Sequence, residues 1–286
     1  MATTKKRPAK KTAAKKRSAA KTTTTKAAAK RPAKKAAARK TAAKKRPAKK
    51  ATARKTGAKK RTAAPRDLQA VRPVGFARDR EFWEQRCRTT VSGDVTVHCG
   101  DLSGPVVDFI AGAQSIVGCV AWITSRDILA ALAQVPGGVG LCVQKERDLR
   151  PGGDRWSVEL RRRYLELPRL LPRLSMPAPL CDTDGPKLID PVRCVGWIGG
   201  PHSPLMHHKA IVAGHLDGKV WVPQRVWTGS FNFSKNASMS AENAVVIDDP
   251  VVAGAYLAEF ARVHAISEPL AWTSRVAKPE LRRAAS

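Results

Sequence analysis

The sequence predicts an α/β fold between residues 92 and 268: a mixed, largely parallel sheet with helices on both faces, preceded by a disordered basic arm. Three observations predict it. Charge is split unevenly, because residues 1–66 hold 27 of the 53 Lys and Arg with no Asp or Glu, leaving only +3 of the formal +30 for the rest of the 286-residue chain. Beyond residue 92, apolar runs of strand length alternate with segments of helical spacing. Gly and Pro punctuate the joins.

Taken in order, Asp94 to Cys99 alternates polar and apolar side chains as a half-buried strand does. Pro105 to Gln114 carries apolar residues at helical spacing, and Ile116 to Ile123 is a continuous apolar run of buried-strand length. Arg126 to Gln134 is a second helix, and Gly138 to Val143 a strand after a Pro-Gly-Gly turn. This is β-α-β-α-β, which implies parallel strands with helices packed on the sheet. Trp156 to Leu167 fits a helix bearing a basic stripe at Arg155, Arg161, Arg162 and Arg163, read as a solvated face with a groove-lining role as the alternative. Pro250 to Val263 reads as an amphipathic helix covering the sheet. Residues 67–91 are expected to be a linker with a short helix around Arg80 to Arg86, and residues 269–286 a loose C-terminal tail.

In the arm, Lys5-Lys6-Arg7-Pro8-Ala9-Lys10-Lys11 recurs letter for letter at Lys44 to Lys50. Almost everything in it is Lys, Arg, Ala, Thr or Pro, so it has no apolar surface whose burial would offset the entropy of ordering. Its composition resembles the tails of linker histones and of bacterial histone-like proteins. The partner implied is a polyanion, with nucleic acid, DNA above all, bound through residues 1–66 by displacement of condensed counterions. An anionic membrane fits less well, because the arm has no apolar face.

The six cysteines are scattered without a C-x-x-C pair, which argues against a disulfide framework or a zinc ribbon. No stretch has the roughly 20 uninterrupted apolar residues of a membrane span. The expected location is the cytoplasm, in association with the nucleoid. Four of the six histidines (His202, His207, His208, His215) crowd together, yet their spacing matches no metal-binding pattern, so neither metal nor cofactor is expected.

The chemistry concentrates after Met206. His207-His208-Lys209-Ala210-Ile211-Val212 reads as a strand entering a hairpin around Gly214 to Gly218, and strand alternation points His207 and Lys209 one way and His208 the other. Trp227-Thr228-Gly229-Ser230-Phe231-Asn232 and Ala241-Glu242-Asn243-Ala244 follow. An imidazole and an ammonium on one face, near a Gly-Ser-x-Asn loop, suit a phosphodiester: imidazole attacks phosphorus while Lys, Ser and Asn stabilise the oxygens that gain charge. Trp221 and Trp227 read as hairpin core.

These residues, in this order and after β-α-β-α-β, resemble the phospholipase D superfamily, with its H-x-K-x4-D and G-S-x-N signature, and within it the single-motif bacterial nucleases. The resemblance implies a metal-independent endonuclease working through a phosphohistidine on His207. Lys209 and Asn232 would bind non-bridging oxygens, Ser230 would assist, and Glu242 would accept a hydrogen bond from His207. One His-x-Lys per chain implies a homodimer that completes the site. The sequence departs at Gly214, where the motif calls for aspartate; the reading is a longer hairpin, with Asp217 a substitute only if that hairpin were re-registered. Two other activities stay open, cleavage of phospholipid head groups and a non-catalytic, histone-like compaction of DNA.

Overall fold

The computed structural model describes residues 66–72, 81, 84–199 and 204–283, all within the unit Arg61–Ser286. The arm up to residue 65, positions 80, 82 and 83 of the helix expected around Arg80 to Arg86, and His202 lie outside the described residues.

A hairpin of β1 (Cys87–Ser92) and β2 (Val95–Gly100) opens the body, turning at Gly93 with φ of 55°. Then follow α1 (Ser103–Ala111), β3 (Ser115–Val120), α2 (Arg126–Ala133), β4 (Val139–Gln144) and α3 (Arg155–Leu165). The second half holds β5 (Thr183–Asp184), β6 (Val192–Val195), β7 (Lys209–Asp217), β8 (Val220–Gly229), β9 (Glu242–Ile247), α4 (Pro250–Ala265), β10 (Glu268–Pro269) and β11 (Arg282–Arg283). Side chains cap α2, α3 and α4: Ser125 accepts from Ile128 N, Asp154 from Ser157 N, and Asp249 from both Val251 N and Val252 N ahead of a helix that begins with Pro250.

Nine strands form one mixed sheet in the order β1-β2-β9-β8-β7-β3-β4-β6-β10. Alternation along each strand splits the apolar residues between two cores. Ile116, Ile211 and Trp227 face α1, α2 and α3, whereas their neighbours Val117, Val212 and Val226 face α4. Helices therefore cover both faces, as expected.

Strand sense corrects one part of the expectation. Only β3–β4 and β4–β6 are parallel, and the other pairings are antiparallel. Parallel pairing is confined to strands joined by long crossovers, while β7 and β8 meet through a tight turn, a connection that only antiparallel neighbours allow.

Two segments expected to be loose are packed. Residues 87–91, assigned to the linker, belong to edge strand β1. The supposed tail from residue 269 lies against the body: β10 pairs with β6, β11 with β5, and Leu270 and Trp272 are buried. Its anchors are single residues, a Trp and a Glu with buried partners, which leave no periodic signal. No helix among the described residues is long and apolar enough to cross a membrane.

Candidate active site

Strands β3 and β8 end, and β7 and β9 begin, at one edge of the sheet, and every candidate side chain arrives there. Lys209 is the first residue of β7, paired with Val120 and only 6% exposed. Its Nζ donates to the carbonyl of His207 at 2.8 Å and lies 5.4 Å from the centre of the Trp122 ring. The exposed imidazole of His207 meets that ring edge-on, with centroids 5.3 Å apart. Trp122 is held from behind, its Nε1 donating to Glu146 Oε1 at 3.2 Å. His208 turns to the other face, where its Nε2 stands 3.3 Å from Glu259 Oε1 on α4.

The Gly-Ser-x-Asn segment is positioned by its alternate residues. Phe231 and Phe233 are fully buried, which leaves Ser230 and Asn232 at the sheet edge. Phe233 N donates to Trp122 O at 3.0 Å, and Ser230 N donates to Asn243 O at the same distance. The segment thus threads between β9 and the chain leaving β3. Gly229 is required there, because a Cβ would stand 2.3 Å from Asn243 O. Ser230 Oγ donates to Glu242 Oε2 and accepts from Asn243 N at 3.1 Å.

Electrostatics follow from this crowding. Desolvation first, then the charges of Lys209 and His208, lower the His207 pKa below its ordinary value, which favours the neutral imidazole and its available lone pair. Burial also lowers the Lys209 pKa, opposed by the carboxylate of Glu242. Asn232 Oδ1 is buried without a hydrogen-bond partner among the described residues. A buried amide oxygen left unpaired costs about 1–3 kcal/mol.

All five predicted residues, His207, Lys209, Ser230, Asn232 and Glu242, belong to this edge, with one pairing corrected. Glu242 bonds to Ser230, and no hydrogen bond joins it to His207 among the described residues. Strand order explains why: β9 is separated from β7 by β8, about 10 Å across, whereas Ser230 directly follows β8 beside it. Trp122 and Glu146 were not anticipated. Their signal was positional, since both follow the carboxyl ends of parallel strands, where ligand sites of open α/β sheets gather.

The Gly214 departure has a local cause. A side chain there would meet Val222 O at 2.3 Å and the Trp221 ring at 2.6 Å. That indole is buried and donates to Ser115 Oγ at 2.7 Å, while Ser115 Oγ donates to Gly214 O at 2.9 Å. Five residues along a strand is about 17 Å, so position 214 is remote from the ammonium of Lys209. Asp217, exposed at the hairpin tip, lies farther still and does not replace the motif aspartate.

No family model matches the chain. An uncharacterized protein of Acanthamoeba polyphaga mimivirus is 29% identical over 189 residues, covering 61% of this chain and 66% of that protein's length. Among solved structures, Nuc from Salmonella typhimurium, a phospholipase D family member, is 23% identical with a TM-score of 0.39, over 61% of this chain and 95% of that one. NucT from Helicobacter pylori is 17% identical with a TM-score of 0.38, over 61% of this chain and 99% of that one.

Proposed function

We propose that the body is a phosphodiesterase of the phospholipase D type that hydrolyses nucleic acid, and that the arm of residues 1–66 holds it on DNA. The observation that carries this reading is the gathering at one sheet edge of a His207 whose pKa is lowered, a buried Lys209, and the side chains of Ser230 and Asn232. His207 attacks phosphorus, forming an N–P bond as the P–O bond to the leaving oxygen breaks. Lys209 offsets the charge gained by the non-bridging oxygens, the Asn232 amide N–H donates a hydrogen bond to them, and the Ser230 hydroxyl assists once its proton turns from Glu242 to the phosphate. Glu242 positions Ser230. The two imidazoles share one proton in this reading: the leaving oxygen takes it from His207 of the partner subunit, which then draws a proton from water as that water cleaves the N–P bond. Residues 92–268 are the catalytic domain in this reading.

One observation favours a second substrate. A cavity of about 440 Å³ opens beside His207 and His208, lined largely by apolar residues such as Trp197, Leu205, Met206 and Ile266. An apolar portion of a phospholipid fits such a lining.

The test incubates the full chain with plasmid, single-stranded DNA, RNA and phosphatidylcholine in EDTA, beside His207→Ala. Chelator-resistant nicking that disappears in the variant supports the nuclease. Cleavage of phosphatidylcholine alone transfers the site to lipid. Intact DNA with a strong mobility shift sinks catalysis in favour of the compacting role.

A further inference from the structure

Beyond β4 the chain makes a short turn at Arg147–Leu149, and this turn meets the segment that follows β10. The two segments, with Ile198, enclose a cavity of about 500 Å³ floored by Trp272 and ringed by the exposed side chains of Arg147, Arg150 and Arg275. Several guanidinium groups elsewhere in the body are ion-paired: Arg86 with Asp67 and Asp101, Arg162 with Glu159 and Glu166, Arg193 with Asp190, Arg262 with Glu259. None of the three cavity arginines has an ion pair among the described residues. The nearby carboxylates of Glu146 and Asp148 line a neighbouring cavity, and Glu146 is engaged by Trp122.

Gathering three like charges costs repulsion, and the surroundings are built to hold them together. Arg161 Nη1 donates to Leu149 O at 2.6 Å and to Leu270 O at 2.7 Å, tying together the two segments that carry the triad. Ile198 N donates to Arg275 O at 2.8 Å. Below, the fully buried Lys145 pairs with Glu268, donates to Val276 O at 3.3 Å and stands 4.3 Å over the Trp272 ring. A rigid fork of guanidinium donors without carboxylates suits the oxygens of a phosphate.

The cavity is at the same end of the sheet as His207. The parallel strands β3, β4 and β6 all lead to that end, and β6 is three strand spacings from β7, about 14 Å. We propose that Arg147, Arg150 and Arg275 bind a backbone phosphate of the nucleic-acid strand whose scissile bond lies at His207. This inference rests on the nucleic-acid reading above and adds a second grip on the same strand.

The test uses the full chain carrying His207→Ala, with and without Arg147→Ala/Arg150→Ala/Arg275→Ala, and fluorescein-labelled hexathymidylate as the probe. Affinity is measured against NaCl concentration. The triple variant should bind about tenfold more weakly at 0.15 M NaCl, with a log–log salt slope shallower by about 0.7 for each phosphate no longer neutralised. Thermal melting monitors folding, which substitutions at exposed side chains should leave intact. In the chain with His207 restored, the triple variant should raise KM for hexathymidylate about tenfold and leave turnover of bis(p-nitrophenyl) phosphate unchanged. Unchanged affinity and slope would overturn the subsite, even if the chain cleaves DNA. Weaker binding by a chain that cleaves no diester would keep the subsite and remove the hydrolytic reading. If added AMP alters diester turnover and the triple variant abolishes only that response, the cavity takes a free phosphate monoester and the proposal fails.

Discussion

His207 and Lys209 were legible as a pair because strand alternation fixes which residues share a face, and His208 accordingly turns to Glu259. What surrounds them was not legible. Trp122, packed against both, lies more than eighty residues earlier in the chain, and only the pairing of β3 with β7 brings it there. Removing the proposed nucleophile with His207→Ala should lower kcat/KM at least about a thousandfold on bis(p-nitrophenyl) phosphate. The pH profile tests the environment. Since His207 reacts unprotonated and its pKa is depressed, the acid limb of kcat/KM should have its inflection below the ordinary histidine value of about 6.5. Lys209→Met removes one of the depressing charges, so it should move that inflection upward while lowering kcat; an inflection that stays in place would remove Lys209 from the imidazole's environment.

At the level of elements, β-α-β-α-β could be read from the chain because apolar period and length distinguish buried strands from amphipathic helices. Edge strand β1 and the segment after α4 escaped it, the first because its exposed face is polar, the second because its anchors are isolated residues. The hairpin of β7 and β8 carries a prediction. Gly214→Asp, although it restores the motif letter, should destabilise the protein by about 2–4 kcal/mol in urea denaturation without raising activity, because its Cβ meets backbone and indole. A more active variant would mean that position 214 supports the site after all. Helix α4 carries another. His264 is buried, with both ring nitrogens lacking partners among the described residues, and its pKa is pushed down to about 3 by desolvation first and by Arg193. The folded chain therefore stays unprotonated there while the unfolded chain takes up a proton below pH 6.5. Stability should be unaffected by this group above pH 6.5 and fall by about 1.4 kcal/mol per pH unit as the pH drops toward 3. His264→Phe should remove one proton's worth of that slope between pH 6 and 4, as read from urea melts across the range.

For the whole molecule, the charge of +30 belongs almost entirely to residues 1–66, and the body that carries the site is close to neutral. The proposed function divides labour accordingly, with affinity in the arm and chemistry in the body. A chain beginning at Asp67 should lose plasmid binding at 0.15 M NaCl and show a flatter salt dependence, yet retain turnover of bis(p-nitrophenyl) phosphate within about twofold. Equal loss of both would contradict that division. In the proposed mechanism each site takes one His207 from each of two copies, so exchanging His207→Ala chains into the wild-type protein should lower activity roughly as the square of the wild-type fraction, because a mixed dimer keeps only one imidazole, and a fall in simple proportion would remove the second histidine. All of this depends on a covalent bond at His207. Full-length protein mixed with excess oligonucleotide, quenched in base within milliseconds and digested for mass spectrometry, should yield the peptide containing His207 with a nucleotide phosphoryl adduct on that imidazole. Rapid turnover with no adduct on His207, or with the adduct elsewhere, would contradict the proposed mechanism.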